Sequence, residues 1–268
     1  MATDSWDPDR YHRFREQRNV PFRDLLTLVE SRPGGRLLDL GCGTGELTSE
    51  AIDSTEVSRA LGLDSSTAML STARRLADER GEDRLDLVLG DLADLGGAEI
   101  SGNWDIIIAN ASLQWVPDHA RVLADWRSRL RAGGQLAVQV PANPDHPSHL
   151  AITEVLHSEP FFSLLNGAPP PDPLLSVLSP ERYAELLWHL GADEQMVRLE
   201  VYGMEMPDVS AVADWTGGTA LNRVRAVLDD EQFSEFDSRY RSLLAEELLD
   251  AAPYFYGFKR ILMWARFD

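Results

Sequence analysis

The sequence has a single cysteine and no long apolar run. The one thiol, that of Cys42, excludes an internal disulfide and a zinc site built from cysteines. No stretch approaches the roughly 18 apolar residues that a membrane helix needs. Residues 1–8 also lack a basic segment followed by an apolar one, as a secretory signal would have. We therefore expect a cytoplasmic protein without a membrane partner.

Basic residues are scarce relative to acidic ones. The chain has 25 Lys and Arg against 44 Asp and Glu, which gives a formal net charge of −19. Binding to nucleic acid or to an anionic membrane depends on a basic surface, so this balance argues against both partners. Hydrophobic residues make up 44% of the sequence, enough to bury a sizeable core.

Apolar segments alternate with amphipathic ones along the first half of the chain. The pattern predicts strands at 36–40, 59–64, 85–89, 104–109 and 135–140. It predicts helices at 46–54, 66–81 and 118–131. Strands that are apolar on both faces and alternate with helices indicate an α/β fold, with a parallel sheet covered on each side.

The pattern changes after residue 140. Nine prolines between 141 and 180 predict that most of this span lacks a regular core element. We expect a helix at 180–190, a strand at 196–204, helices within 208–250 and a last strand at 258–267. The segments 141–180 and 208–250 are interpreted as helical lid insertions. The chain would then be one structural domain, with an N-terminal cover and cofactor-binding core in 1–140 and the rest of the sheet in 141–268.

A glycine-rich turn follows the first predicted strand. Gly41, Gly43 and Gly45 allow the backbone to turn tightly and approach a ligand at a helix N-terminus. The spacing G-x-G-x-G differs from the G-x-G-x-x-G of nicotinamide-dependent enzymes. Asp39 stands two residues before the first glycine, and a carboxylate there suits a cationic amino-acid group better than a pyrophosphate.

Polar residues end three further strands. Asp64 closes the second strand, where its carboxylate can accept both hydroxyls of a ribose; Asp91 closes the third and can meet an adenine amino group; Asn110 ends the fourth. Taken alone, Asp64 or Asp91 is equally well explained as a cap or turn residue. Together they fall at the carboxyl edge of a parallel sheet, where open α/β sheets bind ligands.

These motifs resemble those of the class I S-adenosylmethionine-dependent methyltransferases. The matching segments are Asp39-Leu-Gly-Cys-Gly-Thr-Gly45, Leu63-Asp64-Ser-Ser and Gly90-Asp91-Leu92. The resemblance implies a Rossmann-like, doubly wound, seven-stranded sheet of order 3-2-1-4-5-7-6 with an antiparallel seventh strand. It also implies S-adenosyl-L-methionine as cofactor, with the glycine turn and Asp39 on its methionine part, Asp64 on the ribose, and Met69 with Asp91 and Leu92 near the adenine. The full set of expected cofactor-binding residues is Tyr11, Arg18, Asp39, Gly41, Cys42, Gly43, Asp64, Ser65, Met69, Asp91, Leu92, Asn110, Ser112 and Trp115.

A narrower resemblance spans nearly the whole chain. Trp6-Asp-Pro-Asp-Arg-Tyr11, Asn110-Ala-Ser-Leu-Gln-Trp-Val-Pro-Asp-His119 and Pro147-Ser-His149 are similar to segments of trans-aconitate methyltransferases. This implies methyl transfer to a carboxylate oxygen of a small polycarboxylic acid. Such a carboxylate is already ionised at neutral pH, so no catalytic base and no metal are expected.

An acidic protein must supply cations locally to hold an acidic substrate. Arg260 is the first candidate, because a guanidinium binds a carboxylate through two parallel hydrogen bonds; a surface salt bridge explains it equally well. His149 and Tyr202 are further candidate substrate contacts, although a lone histidine is more often structural. Trp115 is expected to wall the methyl-transfer site, and Arg18 to meet the cofactor carboxylate beneath a cover that includes Tyr11.

Other readings remain open. Asn110-Ala-Ser-Leu lacks the Asn/Asp-Pro-Pro-aromatic pattern of enzymes that methylate base amino groups, and Asp105 is too isolated for a metal-assisted catechol site. The alternatives are a methyltransferase that acts on another small molecule or on an acid bound to a carrier protein, and an inactive cofactor-binding regulatory protein. Gly203-Met204-Glu205 and Asn222 depart from the family pattern, which bears on the identity of the acid.

Overall fold

The computed structural model describes residues 15–96 and 100–268, so Tyr11 and the motif around it lie outside the described residues. The chain divides into two compact units. The core unit comprises the described residues of Arg18–Pro141, Ser176–Glu200 and Arg260–Asp268; the second unit comprises 15–17, Ala142–Leu175 and Val201–Lys259. The expected division into one domain with lid insertions stays a prediction.

Among the described residues, seven strands form one sheet of order β3-β2-β1-β4-β5-β7-β6. The strands are β1 (Arg36–Leu40), β2 (Arg59–Asp64), β3 (Leu85–Leu89), β4 (Trp104–Asn110), β5 (Leu130–Pro141), β6 (Glu194–Met206) and β7 (Tyr254–Phe267). Strands β1 to β5 are parallel to one another, whereas β7 pairs antiparallel with β5. The predicted fold class, strand order and antiparallel seventh strand are confirmed.

The central strands are apolar because both of their faces are covered. Leu38 of β1 lies opposite Leu61 of β2 on one side and Ile107 of β4 on the other. All three are buried, as expected for parallel strands between two helical layers. Since these strands run in one direction, their carboxyl ends share an edge, and Asp39, Asp64 and Asn110 all lie near it.

Helices connect the strands of the core unit. They are α1 (Arg15–Leu26), α2 (Glu46–Thr55), α3 (Thr67–Arg80), α4 (His119–Ser128) and α7 (Pro180–His189), with a 3₁₀ turn at Leu113–Trp115. Helix α3 illustrates the local signals: Ser66 caps its start by accepting the Met69 N–H, and Gly81 ends it at φ 65°. Helix α4 ends at Ser128 rather than at residue 131, because β5 already begins at Leu130, which pairs with Trp104.

The second unit contains regular structure where prolines had predicted little. Its helices are α5 (Pro147–Leu156), α6 (Phe161–Leu164), α8 (Val209–Gly217), α9 (Asn222–Arg225) and α10 (Asp230–Glu247). The prediction for 141–180 was wrong for α5, which buries Ile152 and Leu156 in the unit's own apolar core. Pro147 occupies the first turn of α5, where a missing N–H costs nothing.

No helix in the described part of the chain is long and apolar enough to cross a membrane.

Candidate cofactor and acceptor site

The glycine turn after β1 has the left-handed backbone that its sequence requires. Gly41 has φ 86°, and a Cβ there would lie 2.4 Å from the Cβ of Ser112. Gly43 has φ 56°, but a Cβ there would meet nothing within 4 Å. The N–H groups of Gly41 and Cys42 both donate to the Leu63 carbonyl, which ties the turn to β2. Gly41 therefore permits close packing of the turn, while Gly43 leaves its outer surface open to a ligand.

Asp39 lies buried beneath this turn. Its Oδ2 accepts the hydroxyl of Thr48 on α2 at 2.6 Å. Burial raises the pKa of Asp39 to about 7; the Thr48 hydrogen bond opposes the shift and the negative charge of Asp64 adds to it. The side chain is therefore poised between its neutral and ionised forms near neutral pH, and a ligand cation would favour the ionised form.

Asp64 ends β2 in a more polar environment. Its Oδ2 accepts the N–H of Gly43 at 2.8 Å, and its Oδ1 accepts the N–H of Ser66 at 2.9 Å. A carboxylate has about four acceptor sites, so both oxygens keep capacity for ribose hydroxyls. Ser65 is exposed beside it, and Met69 is half-buried on the first turn of α3.

The end of β3 carries Asp91 and Leu92. Asp91 is exposed, and its Oδ1 accepts the Ala93 N–H at 2.8 Å, which is the contact of a turn residue. The Leu92 carbonyl accepts the indole N–H of Trp126 at 2.9 Å. The Leu92 side chain lies close to Gly41 of the glycine turn. These contacts fix the loop that would border an adenine, whose binding here stays a prediction.

The end of β4 is tied to both neighbouring strands. Asn110 accepts the side-chain amide of Gln139 on β5 at 2.9 Å, and Ser112 donates to the Leu40 carbonyl of β1 at 2.5 Å. Trp115 follows on the 3₁₀ turn with 39% of its surface exposed. An exposed indole on a loop whose start is tied to two strands can form the wall of a ligand site.

Arg18 and Cys42 are both buried in the core unit, at 8% exposure each. Burial raises the pKa of the Cys42 thiol, and the charges of Asp39 and Asp64 raise it further. The thiol is therefore un-ionised and unsuited to act as a nucleophile.

Arg260 lies near the same edge of the sheet. It pairs across the ladder with Pro141, the last residue of β5, and is half-buried. Leu262, two residues along β7, pairs with Gln139, whose amide contacts Asn110. Because residues two apart share a face of a strand, Arg260 is on the same face of the sheet as Gln139.

The other two expected substrate residues belong to the second unit. Tyr202 stacks on Phe258, with ring centroids 5.2 Å apart, and packs against the unit's apolar core. His149 lies half-buried in the first turn of α5. Substrate contacts by both residues stay predictions.

Thr48 and Gln139 were not identified from the sequence. Thr48 is the partner of Asp39, and buried Gln139 positions Asn110. Thr48 is the third residue of α2, where the sequence alone indicates only an ordinary helix residue. Gln139, a polar residue within an apolar strand, was a usable signal, because buried amides require a partner.

Comparison with known proteins agrees with this geometry. A family model described as a methyltransferase domain matches residues 38–136. A trans-aconitate 2-methyltransferase from Deinococcus radiodurans is 40% identical, over 97% of this chain and 98% of its own length. The enzyme of the same name from Mycobacterium tuberculosis is 35% identical, over 97% of this chain and 96% of its own.

Solved structures show the same fold at low identity. The YcgJ protein of Bacillus subtilis matches with a TM-score of 0.59 and 14% identity, covering 95% of this chain and 99% of its own. A Haemonchus contortus phosphoethanolamine N-methyltransferase, solved with phosphomonomethylethanolamine and S-adenosylhomocysteine, matches with a TM-score of 0.55 and 15% identity. That match covers 93% of this chain and 53% of the other.

Proposed function

This chain belongs to the S-adenosylmethionine-dependent methyltransferase family of its trans-aconitate 2-methyltransferase relatives, and we propose that it esterifies a carboxylate of trans-aconitate or a closely similar polycarboxylic acid. The observation that carries the proposal is identity of 35–40% to those enzymes over nearly the full length of both chains. The position of Arg260 beside the end of β5 supports it independently.

The residues of the core unit suit S-adenosylmethionine. The open surface at Gly43 admits a ligand against the backbone, buried Asp39 would face the cationic amino group, and Asp64 retains acceptors for the ribose hydroxyls. The bound cofactor supplies a methyl group on a positively charged sulfur. The protein's own task is to place an acceptor oxygen in line with that methyl group.

The acceptor requires no proton transfer before it reacts. A carboxylate with a pKa near 4 is already a nucleophile at neutral pH, so the protein acts by alignment and by exclusion of water. Arg260 would hold a second, non-reacting carboxylate of the same acid, which fixes the orientation of the reacting one. Trp115 would close the side of the site next to the end of β4.

Arg260 provides the test of this arrangement. We expect Arg260→Ala to lower kcat/KM for trans-aconitate, with a loss of transition-state stabilisation of about 2–4 kcal/mol. The substitution removes a charge-assisted pair that is partly desolvated. Arg260→Lys should recover part of the loss, since an ammonium cannot form two parallel hydrogen bonds. Cofactor affinity measured by calorimetry should be unchanged in both variants.

The matched control is Arg266→Ala on the same strand. Arg266 pairs with Glu194 at 2.7 Å and lies opposite Gln135, toward the other end of β5. Its loss should leave kcat/KM for the acid unchanged. Equal kinetics in the Arg260 and Arg266 variants would remove Arg260 from the acceptor site, and methylation of an uncharged amine or phenol in place of any acid would refute the proposed acceptor.

An acid attached to a carrier protein is the second candidate acceptor. A carrier of acidic character would need a positive docking surface, whereas α10 carries a net excess of acidic residues. The net charge of −19 also favours a small-molecule acceptor over a nucleic acid.

We also propose, on the grounds of the sequence, that the reaction takes place in the cytoplasm, and cell fractionation tests that location.

A further inference from the structure

The loop after β3, residues 90–95, is held by a helix that is distant from it in the sequence. Two hydrogen bonds reach this loop from α4, within the core unit. The indole N–H of Trp126 donates to the Leu92 carbonyl at 2.9 Å, and the guanidinium of Arg121 donates to the Ala93 carbonyl at 3.4 Å. Trp126 is fully buried, whereas Arg121 is exposed. The packed indole is therefore the firmer of the two supports.

One peptide unit connects Trp126 to Asp91. The carbonyl of this unit belongs to Leu92 and accepts the indole N–H, while its N–H belongs to Ala93 and donates to Asp91 Oδ1 at 2.8 Å. An indole N–H and a backbone N–H can only donate, so the direction of both hydrogen bonds is fixed. Because a peptide unit is planar, the orientation of its C=O sets that of its N–H. The indole therefore orients the N–H that holds the Asp91 carboxylate.

The backbone of the loop is fixed on its other side as well. The Gly90 N–H donates to the Asp64 carbonyl at the end of β2, and the Asp94 N–H donates to the Asp91 carbonyl, both at 3.0 Å. The Asp91 side chain itself remains exposed. Since a carboxylate has about four acceptor sites, one bond from Ala93 leaves capacity for a donor from a ligand. The loop thus presents a fixed, acceptor-only group beside the end of β2.

Removal of the indole N–H would disturb this arrangement in a defined way. The Leu92 carbonyl would lose its donor, and an unpaired carbonyl away from water is unfavourable, so the peptide unit would turn toward another donor. That rotation would carry the Ala93 N–H away from Asp91. The carboxylate would then sample several rotamers, and a ligand would have to select one of them at a cost in binding free energy.

We propose that Trp126 is a positioning residue for cofactor binding: through the Leu92–Ala93 peptide it holds the Asp91 carboxylate in place for the amino group of adenine. An amino group donates hydrogen bonds to a carboxylate, whereas an oxygen at the same ring position would be repelled by it. Trp126 thus sets the selectivity for adenine over an oxo analogue although it is fully buried. The inference rests on the proposed function, because it takes the loop after β3 to border the adenine of S-adenosylmethionine.

The test compares S-adenosylhomocysteine, which carries the amino group, with S-inosylhomocysteine, which carries an oxygen at that ring position. Trp126 is changed to phenylalanine and, in a second variant, to β-(3-benzothienyl)alanine, which keeps the size of the indole and lacks its N–H. In both variants the calorimetric Kd for S-adenosylhomocysteine should weaken roughly tenfold, the scale of one hydrogen bond to a charged group. The Kd for S-inosylhomocysteine should stay within about twofold, because its oxygen gains nothing from a fixed carboxylate.

The matched control is Trp104, another buried tryptophan of the core unit. Its indole N–H donates to the Ile100 carbonyl at 3.2 Å, at the start of β4 rather than at the carboxyl edge of the sheet. The same two replacements at Trp104 should lower the melting temperature and leave both Kd values unchanged. A purely structural role for Trp126 would give that result at both positions, and an unchanged ratio of the two Kd values in the Trp126 variants would overturn the proposal.

A double-mutant cycle with Asp91→Ala tests the route of the effect. If Trp126 acts through Asp91, its replacement should change neither Kd further once the carboxylate is absent. Losses that simply add would overturn the inference. These binding measurements contain no methyl acceptor, so failure to esterify any acid overturns the proposed acceptor alone, whereas ester formation by an enzyme whose Trp126 variants keep the wild-type ratio of Kd values overturns the inference alone.

Discussion

Two carboxylates at the ends of adjacent strands have different surroundings, and we propose different tasks for them. Asp39 is 4% exposed and is contacted by the Thr48 hydroxyl, whereas half-buried Asp64 accepts two backbone N–H groups. Burial destabilises a charge, and N–H donors stabilise it. Asp39 is therefore suited to respond to a ligand cation, while the two oxygens of Asp64 keep acceptor capacity for neutral hydroxyls.

Cofactor binding should depend on pH through Asp39. With its pKa raised to about 7, Asp39 is mostly protonated at pH 6 and mostly ionised at pH 8. Because the cationic amino group binds the ionised form, the calorimetric Kd should be about tenfold weaker at pH 6 than at pH 8. Asp39→Asn should bind weakly at both values, and a pH-independent Kd in the wild-type protein would contradict this role.

The same shift has a consequence for stability of the opposite sign. The folded-state pKa exceeds the ordinary aspartate pKa of 3.8, so folding becomes less favourable as pH rises from about 4 to 7, because the unfolded chain loses its proton first. Asp39→Asn should therefore raise the free energy of unfolding of the cofactor-free protein at pH 8, by about 2–4 kcal/mol, and have little effect below pH 4. Denaturant titration at pH 8 and below pH 4 measures this effect and serves as the control for the binding experiment.

Asp64 should contribute to cofactor binding through hydrogen bonds to the ribose. We expect Asp64→Ala to weaken cofactor binding by roughly 1–3 kcal/mol, the scale for losing hydrogen bonds to a charged acceptor. Circular dichroism must show that the variant is folded, since Asp64 also accepts the Gly43 N–H. Unchanged affinity in the folded variant would remove Asp64 from the ribose site.

The sequence predicted the polar residues near the strand ends of this site better than it predicted their hydrogen-bond partners. Asp39, Asp64 and Asn110 could be placed because strand ends in a parallel sheet share an edge. Thr48 and Gln139 act through side-chain hydrogen bonds between elements, and residue spacing along the sequence does not reveal such partners. His119 of α4 and Tyr183 of α7 also contact each other but are 64 positions apart in the sequence, so their contact depends on where α7 packs.

Among the structural elements, the turn between β1 and α2 has one glycine that packs against the protein and one that faces open space. Gly41 faces Ser112 at a distance that no side chain tolerates, while Gly43 faces open space. Both have positive φ, so both prefer glycine for backbone reasons. The space around an added Cβ differs, however: it is filled at Gly41, which indicates a packing role, and empty at Gly43, which leaves room for a ligand.

Gly43→Ala and Gly34→Ala form a matched pair for testing this distinction. Gly34 has φ 76° and, like Gly43, has nothing within 4 Å of an added Cβ. Each substitution should cost about 1 kcal/mol of stability, the penalty of a left-handed alanine. Gly43→Ala alone should weaken cofactor binding, by at least tenfold in calorimetry, because its methyl group occupies the ligand's place. Equal affinity in the two variants would contradict the assignment.

The strands were predicted more accurately than the later helices, for a physical reason. Buried parallel strands leave short, continuous apolar runs such as β1 and β4, which allow few other readings. Helix α5 was missed because proline was taken as a helix breaker, although Pro147 stands at the one helical position that tolerates it. The end of α4 was misplaced because Leu130 continues its apolar spacing but pairs in the sheet.

At the scale of the whole molecule, charge and catalysis make opposing demands. A net charge of −19 repels acidic solutes, so an enzyme for polycarboxylic acids needs cations placed where the substrate binds. We propose that Arg260, on β7 beside β5, meets that need without altering the overall charge. The apolar core of the second unit gives its helices a framework of their own, and their expected role as a lid stays a prediction.

The most direct test of the account is product analysis with trans-aconitate and S-adenosylmethionine labelled in its methyl group. Liquid chromatography with mass detection should show one labelled monomethyl ester, which releases labelled methanol on mild alkaline hydrolysis. A parallel panel should contain other di- and tricarboxylic acids together with an amine, a phenol and an acidic carrier protein. We expect ester formation on trans-aconitate or a close analogue; a labelled amine, phenol or carrier with no labelled free acid would refute the proposed acceptor.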